Sequence, residues 1–89
     1  MPEIILTIRN KVGLHARPAS LFVREATKFK STITAIHGEA QANAKSILNV
    51  LTLGANQGTK LIVRAEGEDA EAALQALTVL NDSNYGEAE

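Results

Sequence analysis

The run Ile4-Ile5-Leu6-Thr7-Ile8 is short, β-branched and bounded by polar residues, so it reads as a buried strand. Arg9-Asn10-Lys11-Val12-Gly13 then turns the chain out of it. Beyond this turn Ala19, Phe22, Val23, Ala26 and Phe29 recur with the period of one helix face. Ser31-Thr32-Ile33-Thr34-Ala35-Ile36 restores strand alternation, and Gly38 turns it into a second short strand near Ala40–Ala42, a hairpin. A second helix is predicted from Ser46, a good N-cap, through Leu53 to Gly54, a natural C-cap. Gly58 leads into a strand over Lys60–Ala65. Gly67-Glu68-Asp69 sets acids at the start of a last helix, with Ala70, Ala73, Leu74, Leu77 and Leu80 as its core stripe. The predicted order is β-α-β-β-α-β-α: an α+β domain over residues 1–82, then a loose polar tail over 83–89. Helices sharing one face of a small sheet give two layers, and the short connections favour an antiparallel or mixed sheet. Periodicity leaves the strand order open.

Composition narrows what such a domain can do. Hydrophobic residues are 45% of the 89, and the core they build is aliphatic, because Phe22, Phe29 and Tyr85 are the only aromatics. The absence of cysteine excludes a disulfide frame, a thiolate nucleophile and a Cys-rich zinc site. His37 has no metal-ligand companions at useful spacing and reads as a surface histidine, so neither metal nor cofactor is expected. No apolar run approaches a membrane span, and the N-terminus lacks the pattern of a signal peptide, so the expected compartment is the cytoplasm. A net charge of −1 with so few aromatics argues against nucleic-acid binding. The charge is polarised, however. Residues 1–45 hold seven Lys/Arg and three acids, whereas 46–89 hold two and seven, which suggests an acidic partner or anionic group near the first half.

Candidate chemistry lies in Gly13-Leu14-His15-Ala16-Arg17-Pro18. Proline is tolerated in the first turn of a helix and not deeper, so the helix starts between His15 and Pro18 and His15 sits at its mouth. First-turn amides have no intrahelical acceptor and make that mouth an anion site. Ala16 and Arg17 can offer backbone N–H groups there, and the Arg17 guanidinium adds a bidentate donor. The helix dipole and Arg17 both disfavour imidazolium, which favours a neutral, nucleophilic His15. Such an imidazole can attack phosphorus while the same dipoles hold the added charge.

The stretch Gly13-Leu14-His15-Ala16-Arg17-Pro18-Ala19-Ser20, then Ala44-Lys45-Ser46-Ile47, Leu53-Gly54 and Gly58, resembles HPr, the histidine phosphocarrier family of the phosphoenolpyruvate-dependent sugar phosphotransferase system. The resemblance spans roughly residues 2–80. It implies an open-faced sandwich with an antiparallel sheet of order 1-4-2-3 covered by three helices. It also implies a carrier that is a substrate of phosphotransferases, not an enzyme itself. By this likeness His15 accepts a phosphoryl group at Nδ1 from phosphorylated enzyme I and passes it to enzyme IIA, with Arg17 and amides at the helix start, Ala16 among them, as phosphate ligands. The alternative within the likeness is a regulatory paralogue, serving a nitrogen-type relay or acting through Ser46.

Ser46 has a complete structural role as an N-cap, and also resembles the serine that an HPr kinase/phosphorylase modifies. A phosphate there would suit the helix dipole and add charge beside a docking surface. Ile47, Leu48, Val50, Leu51 and Leu53 are too many for one buried helix face. Some of Ile47, Leu48 and Leu51 should therefore form an exposed docking patch, and the likeness to HPr implies that enzyme I and enzyme IIA dock there. Fast relay argues for transient, modest interfaces, and a monomer is expected.

Overall fold

All seven predicted elements form. The computed structural model describes residues 2–86 and contains β1 (Glu3–Thr7), α1 (Ala16–Ala26), β2 (Thr32–His37), β3 (Ala40–Asn43), α2 (Ile47–Leu51), β4 (Lys60–Glu66) and α3 (Ala70–Asp82). The strands make one sheet in the order β1-β4-β2-β3, every neighbouring pair antiparallel. The register sorts the side chains. Ile4, Val63, Ala35 and Ala42 align across the sheet, as do Leu6 with Leu61 and Ile33 with Ala65. Most of these join Phe22, Val23, Ala73, Leu74 and Leu77 from the helices in a single core cluster, with Ile4 packed against it. The other face of the sheet is bare of helices, and Ile5, Ile62 and Ile36 run across it as one row.

That register corrects one expectation. β1 is half-buried, not a buried strand, because its alternate positions point out and Ile5 is 64% exposed. Ile8 is fully buried but lies past the last ladder pair, where its N–H donates to the Thr59 carbonyl. β-Branching marks a residue as fit for a pleated surface without saying which side is wet.

The first turn of α3 holds a second difference. Asp69 is the N-cap, yet its carboxylate makes no cap bond. It instead accepts the N–H groups of Lys30 and Ser31 and the Ser31 hydroxyl, clasping the entry of β2 to the entry of α3. Gly67 permits this approach: a Cβ there would meet Ser31 Cα at 2.8 Å. The hydrogen bond from Ser31 Oγ, then the backbone donors, hold the Asp69 carboxyl below its ordinary value of 3.8. A carboxylate with a depressed pKa stabilises the fold above its unfolded pKa and loses that contribution as pH falls through the folded one. Asp69→Asn is therefore expected to melt lower at neutral pH and to show a shallower fall in stability below about pH 4. Equal acid slopes in urea melts of wild type and variant would contradict the clasp.

The chain end is a third difference. The described part of the expected loose tail is packed: a 3-10 turn at Asn84–Gly86 inserts Tyr85 into the core at 1% exposure. Its hydroxyl donates to Asn81 Oδ1 at 3.0 Å, and Asn81 Nδ2 donates to the Thr7 carbonyl at 2.9 Å. Burial pushes the phenol pKa well up. Residues 87–89 of the expected tail lie outside the described residues.

Candidate functional site

The site starts from a tight turn. Asn10 Nδ2 donates to the Gly13 carbonyl at 2.7 Å, and the Gly13 N–H returns to the Asn10 carbonyl at 3.1 Å. Gly13 adopts φ +66°, a left-handed geometry that glycine accepts at little cost. It also lies flat against the loop before β4, where a Cβ would stand 2.4 Å from the Ala55 carbonyl oxygen. Leu14 is buried, and its N–H donates to that same carbonyl at 2.8 Å. One buried anchor thus fixes the backbone immediately before His15.

His15 itself is exposed and is the N-cap of α1, with extended geometry (φ −81°, ψ −173°) and no capping bond from its side chain. Its carbonyl accepts the first helical bond, from Ala19 N–H at 2.7 Å. Ala16 and Arg17 occupy the first two helical positions, where backbone N–H groups have no intrahelical acceptor. Pro18 follows third, with no N–H to leave unpaired. The helix start thus falls where the sequence set it, and the proline does not push it later. Arg17 is exposed, and among the described residues it makes no ion pair. An accessible imidazole, two free amides and an uncommitted guanidinium therefore share one helix mouth, with no first-turn acid to oppose an incoming anion.

Beside His15 is a hollow of about 220 Å³ lined by Leu14, His15, Leu51, Gly54, Ala55 and Asn56. It lies between the start of α1 and α2. That helix is shorter than predicted, ending at Leu51 instead of Leu53, because Thr52 and Leu53 close it with tighter turns. Its apolar surplus divides as expected: Val50 and Leu53 are buried, while Ile47, Leu48 and Leu51 are 42%, 76% and 40% exposed. Ser46 caps α2, its Oγ accepting the Asn49 N–H at 3.3 Å. Over five residues this puts Ser46 roughly 7.5 Å along the axis from Leu51 and outside the hollow.

His37 is half-buried and not a surface residue, with Nδ1 2.7 Å from the Leu53 carbonyl. It finishes the C-terminal end of α2, a packing role that a lone histidine before a glycine does not announce. Asn56, which lines the hollow beside His15, drew no expectation from the sequence. The signal for it was the pair Gly54 and Gly58, whose positive φ values bracket a loop tight enough to be carried against the histidine turn.

Fold and site together define a small phosphoryl-carrying domain, an open-faced sandwich with a histidine presented at a helix mouth. The family model for the phosphotransferase-system HPr component phosphorylation site matches residues 2–82. The chain is 48% identical over 77 residues to the phosphocarrier protein HPr of Mycoplasma capricolum, covering 86% of each. It is 44% identical over 87 residues to that of Xylella fastidiosa, covering 98% of each. The crystal structure of HPr-C-His from Thermoanaerobacter tengcongensis superimposes over 100% of both chains with a TM-score of 0.96 and 46% identity. The chain belongs to the HPr family. It is a phosphocarrier of the sugar phosphotransferase system, a substrate of enzyme I and not a catalyst, and its partners are the components of that system, such as enzyme I and enzyme IIA. Among the described residues no helix is long and apolar enough to cross a membrane.

Proposed function

We propose that His15 is the residue that carries the phosphoryl group, at Nδ1. The neutral ring, protonated at Nε2, uses its Nδ1 lone pair to form the N–P bond. The bond from phosphorus to the donor breaks at the same time, and its electron pair stays with enzyme I. Transfer to enzyme IIA runs the same exchange in the other direction. Arg17 and the amides of Ala16 and Arg17 hold the phosphoryl oxygens, and the helix dipole favours the added charge. The observation that carries this reading is the exposure of His15 at the mouth of α1 with its side chain unused by the cap. Incubation with enzyme I and phosphoenolpyruvate is expected to place one acid-labile, base-stable phosphate on each chain. A chain that incorporates none is not a carrier.

Arg17 supplies charge where the phosphoryl group arrives and touches nothing else that the fold needs. Arg17→Ala is expected to lower kcat/KM for uptake by about 10², the usual effect of removing one donor to a charged transition state, with an unchanged melting temperature. A normal rate would remove Arg17 from the site.

Ile47, Leu48 and Leu51 form the docking patch for both partners, supported by their exposure and by the place of Leu51 beside His15. Ser46 is the control residue in hosts with an HPr kinase/phosphorylase. A phosphate on its Oγ would stay at the end of α2 and repel an acidic partner from that patch. The protein works as a monomer in the cytoplasm, forming brief contacts with each partner in turn.

A further inference from the structure

The hollow beside His15 contains one polar side chain other than the histidine, and that is Asn56. Its backbone is held on both sides. The Asn56 N–H donates to Thr59 Oγ at 3.1 Å, and its carbonyl accepts the Thr59 N–H at 3.0 Å. The preceding carbonyl, of Ala55, receives the Leu14 N–H one residue before His15. Gly13 lies so close that a Cβ would be 2.7 Å from Asn56 Cα. Asn56 is thus locked alongside a histidine 41 residues earlier in the sequence, as firmly as a neighbour on the same element.

Its carboxamide is not committed to the fold. The residue is exposed, and the side chain makes no hydrogen bond among the described residues. A carboxamide offers two N–H donors and can serve a phosphoryl oxygen without adding charge. The hollow is large enough for a phosphoryl group, since about 30 Å³ is one water's share of liquid volume. Arg17 does not line it. A phosphoryl group on His15 that reaches into this hollow would meet the Asn56 amide there, on a side that neither Ala16 nor Arg17 lines.

We infer that Asn56 is a further phosphoryl ligand, whose Nδ2 donates to an oxygen of the group carried by His15. This rests on His15 being the carrier residue. It gives the site a donor from the loop before β4, so that the cradle closes only when the loop and the active helix are correctly apposed. A hydrogen bond to a charged acceptor is worth enough that its loss slows uptake about tenfold.

The test compares the wild type with Asn56→Ala and Asn56→Asp, both at an exposed position where the fold survives. In isolated phosphorylated wild type, one Asn56 Nδ2 proton is expected to shift downfield relative to the unphosphorylated form, more than any other asparagine amide. A residue that served docking alone would show no such shift without a partner present. Uptake from phosphorylated enzyme I should fall about tenfold in Asn56→Ala and further in Asn56→Asp, whose carboxylate repels the incoming group. Wild type that accepts phosphate while the Asn56 amide stays still overturns this inference alone. Uptake in both variants at the wild-type rate does the same. Wild type that accepts no phosphate overturns the carrier reading, and the ligand assignment falls with it.

Discussion

His15→Ala is expected to abolish phosphoenolpyruvate-dependent phosphate uptake while leaving the fold intact. Both halves follow from the same placement. The imidazole makes no capping bond and is exposed, so its removal opens no cavity and strands no buried polar group. Substitutions of that kind fall within about 0.5 kcal/mol of neutral. The chemistry, by contrast, has no substitute. The other histidine, His37, is half-buried with its Nδ1 turned onto the Leu53 carbonyl. The check is a paired measurement of wild type and variant. Thermal melts should agree within a few degrees, and labelled phosphate from phosphoenolpyruvate through enzyme I should appear in the wild type alone. Any acid-labile phosphate retained by the variant would move the carrier role away from His15. An acid-stable label that appears in both chains with ATP and a serine kinase would belong to Ser46, because that chemistry is a phosphate ester.

Gly13→Ala should be the most damaging small change near the site. Two costs combine. A φ of +66° is unfavourable by about 1–2 kcal/mol for a residue with a Cβ. The Cβ would also overlap backbone atoms of Ala55 and Asn56, which have no flexible side chain to give way. Together about 3 kcal/mol is expected, a large part of a small domain's stability. Gly38 supplies an internal control. It has a comparable φ of +61° but nothing within 4 Å of where a Cβ would sit. Gly38→Ala should therefore show only the conformational cost, and the difference between the two variants in urea melts isolates the crowding. Crowding at Gly13 also pushes the loop before β4 away from Leu14, so uptake should fall in Gly13→Ala even where it is fully folded. Equal losses at the two glycines would mean that the two loops are not pressed together.

What the sequence made legible is what repeats or lies close together in it. The α1 stripe Ala19, Phe22, Val23 and Ala26 is buried as its period required, and so are Ala70, Ala73, Leu74 and Leu77 of α3. The helix mouth was readable because Gly13 through Pro18 are consecutive, and proline geometry ties the helix start to them. The surplus of apolar residues on α2 was countable, and exposure fell on the three residues named for it. The order of the strands came from the family likeness, since periodicity says how an element faces and not which one it meets. The features that escaped are contacts between distant segments. Asp69 has the composition of a helix-start acid, and nothing in its neighbours points to Ser31, 38 positions earlier. Asn56 is one polar residue in a glycine-bounded loop until the fold lays it beside His15. Tyr85 sits among polar residues with no period to mark it, and it too is core.

The Tyr85 ring bears on where this domain ends. The family model stops at Asp82, whereas the likeness to whole relatives runs on over nearly the full chain. The physical boundary lies further on, because a ring from position 85 fills space between α1 and α3 and is tied through Asn81 to the end of β1. A chain trimmed to the matched span would keep His15, Arg17 and Asn56 and lose the ring that fills the interior between α1 and α3. The span of a family model and the closure of an interior are therefore separate criteria for a domain, and here they differ by a few residues at one terminus.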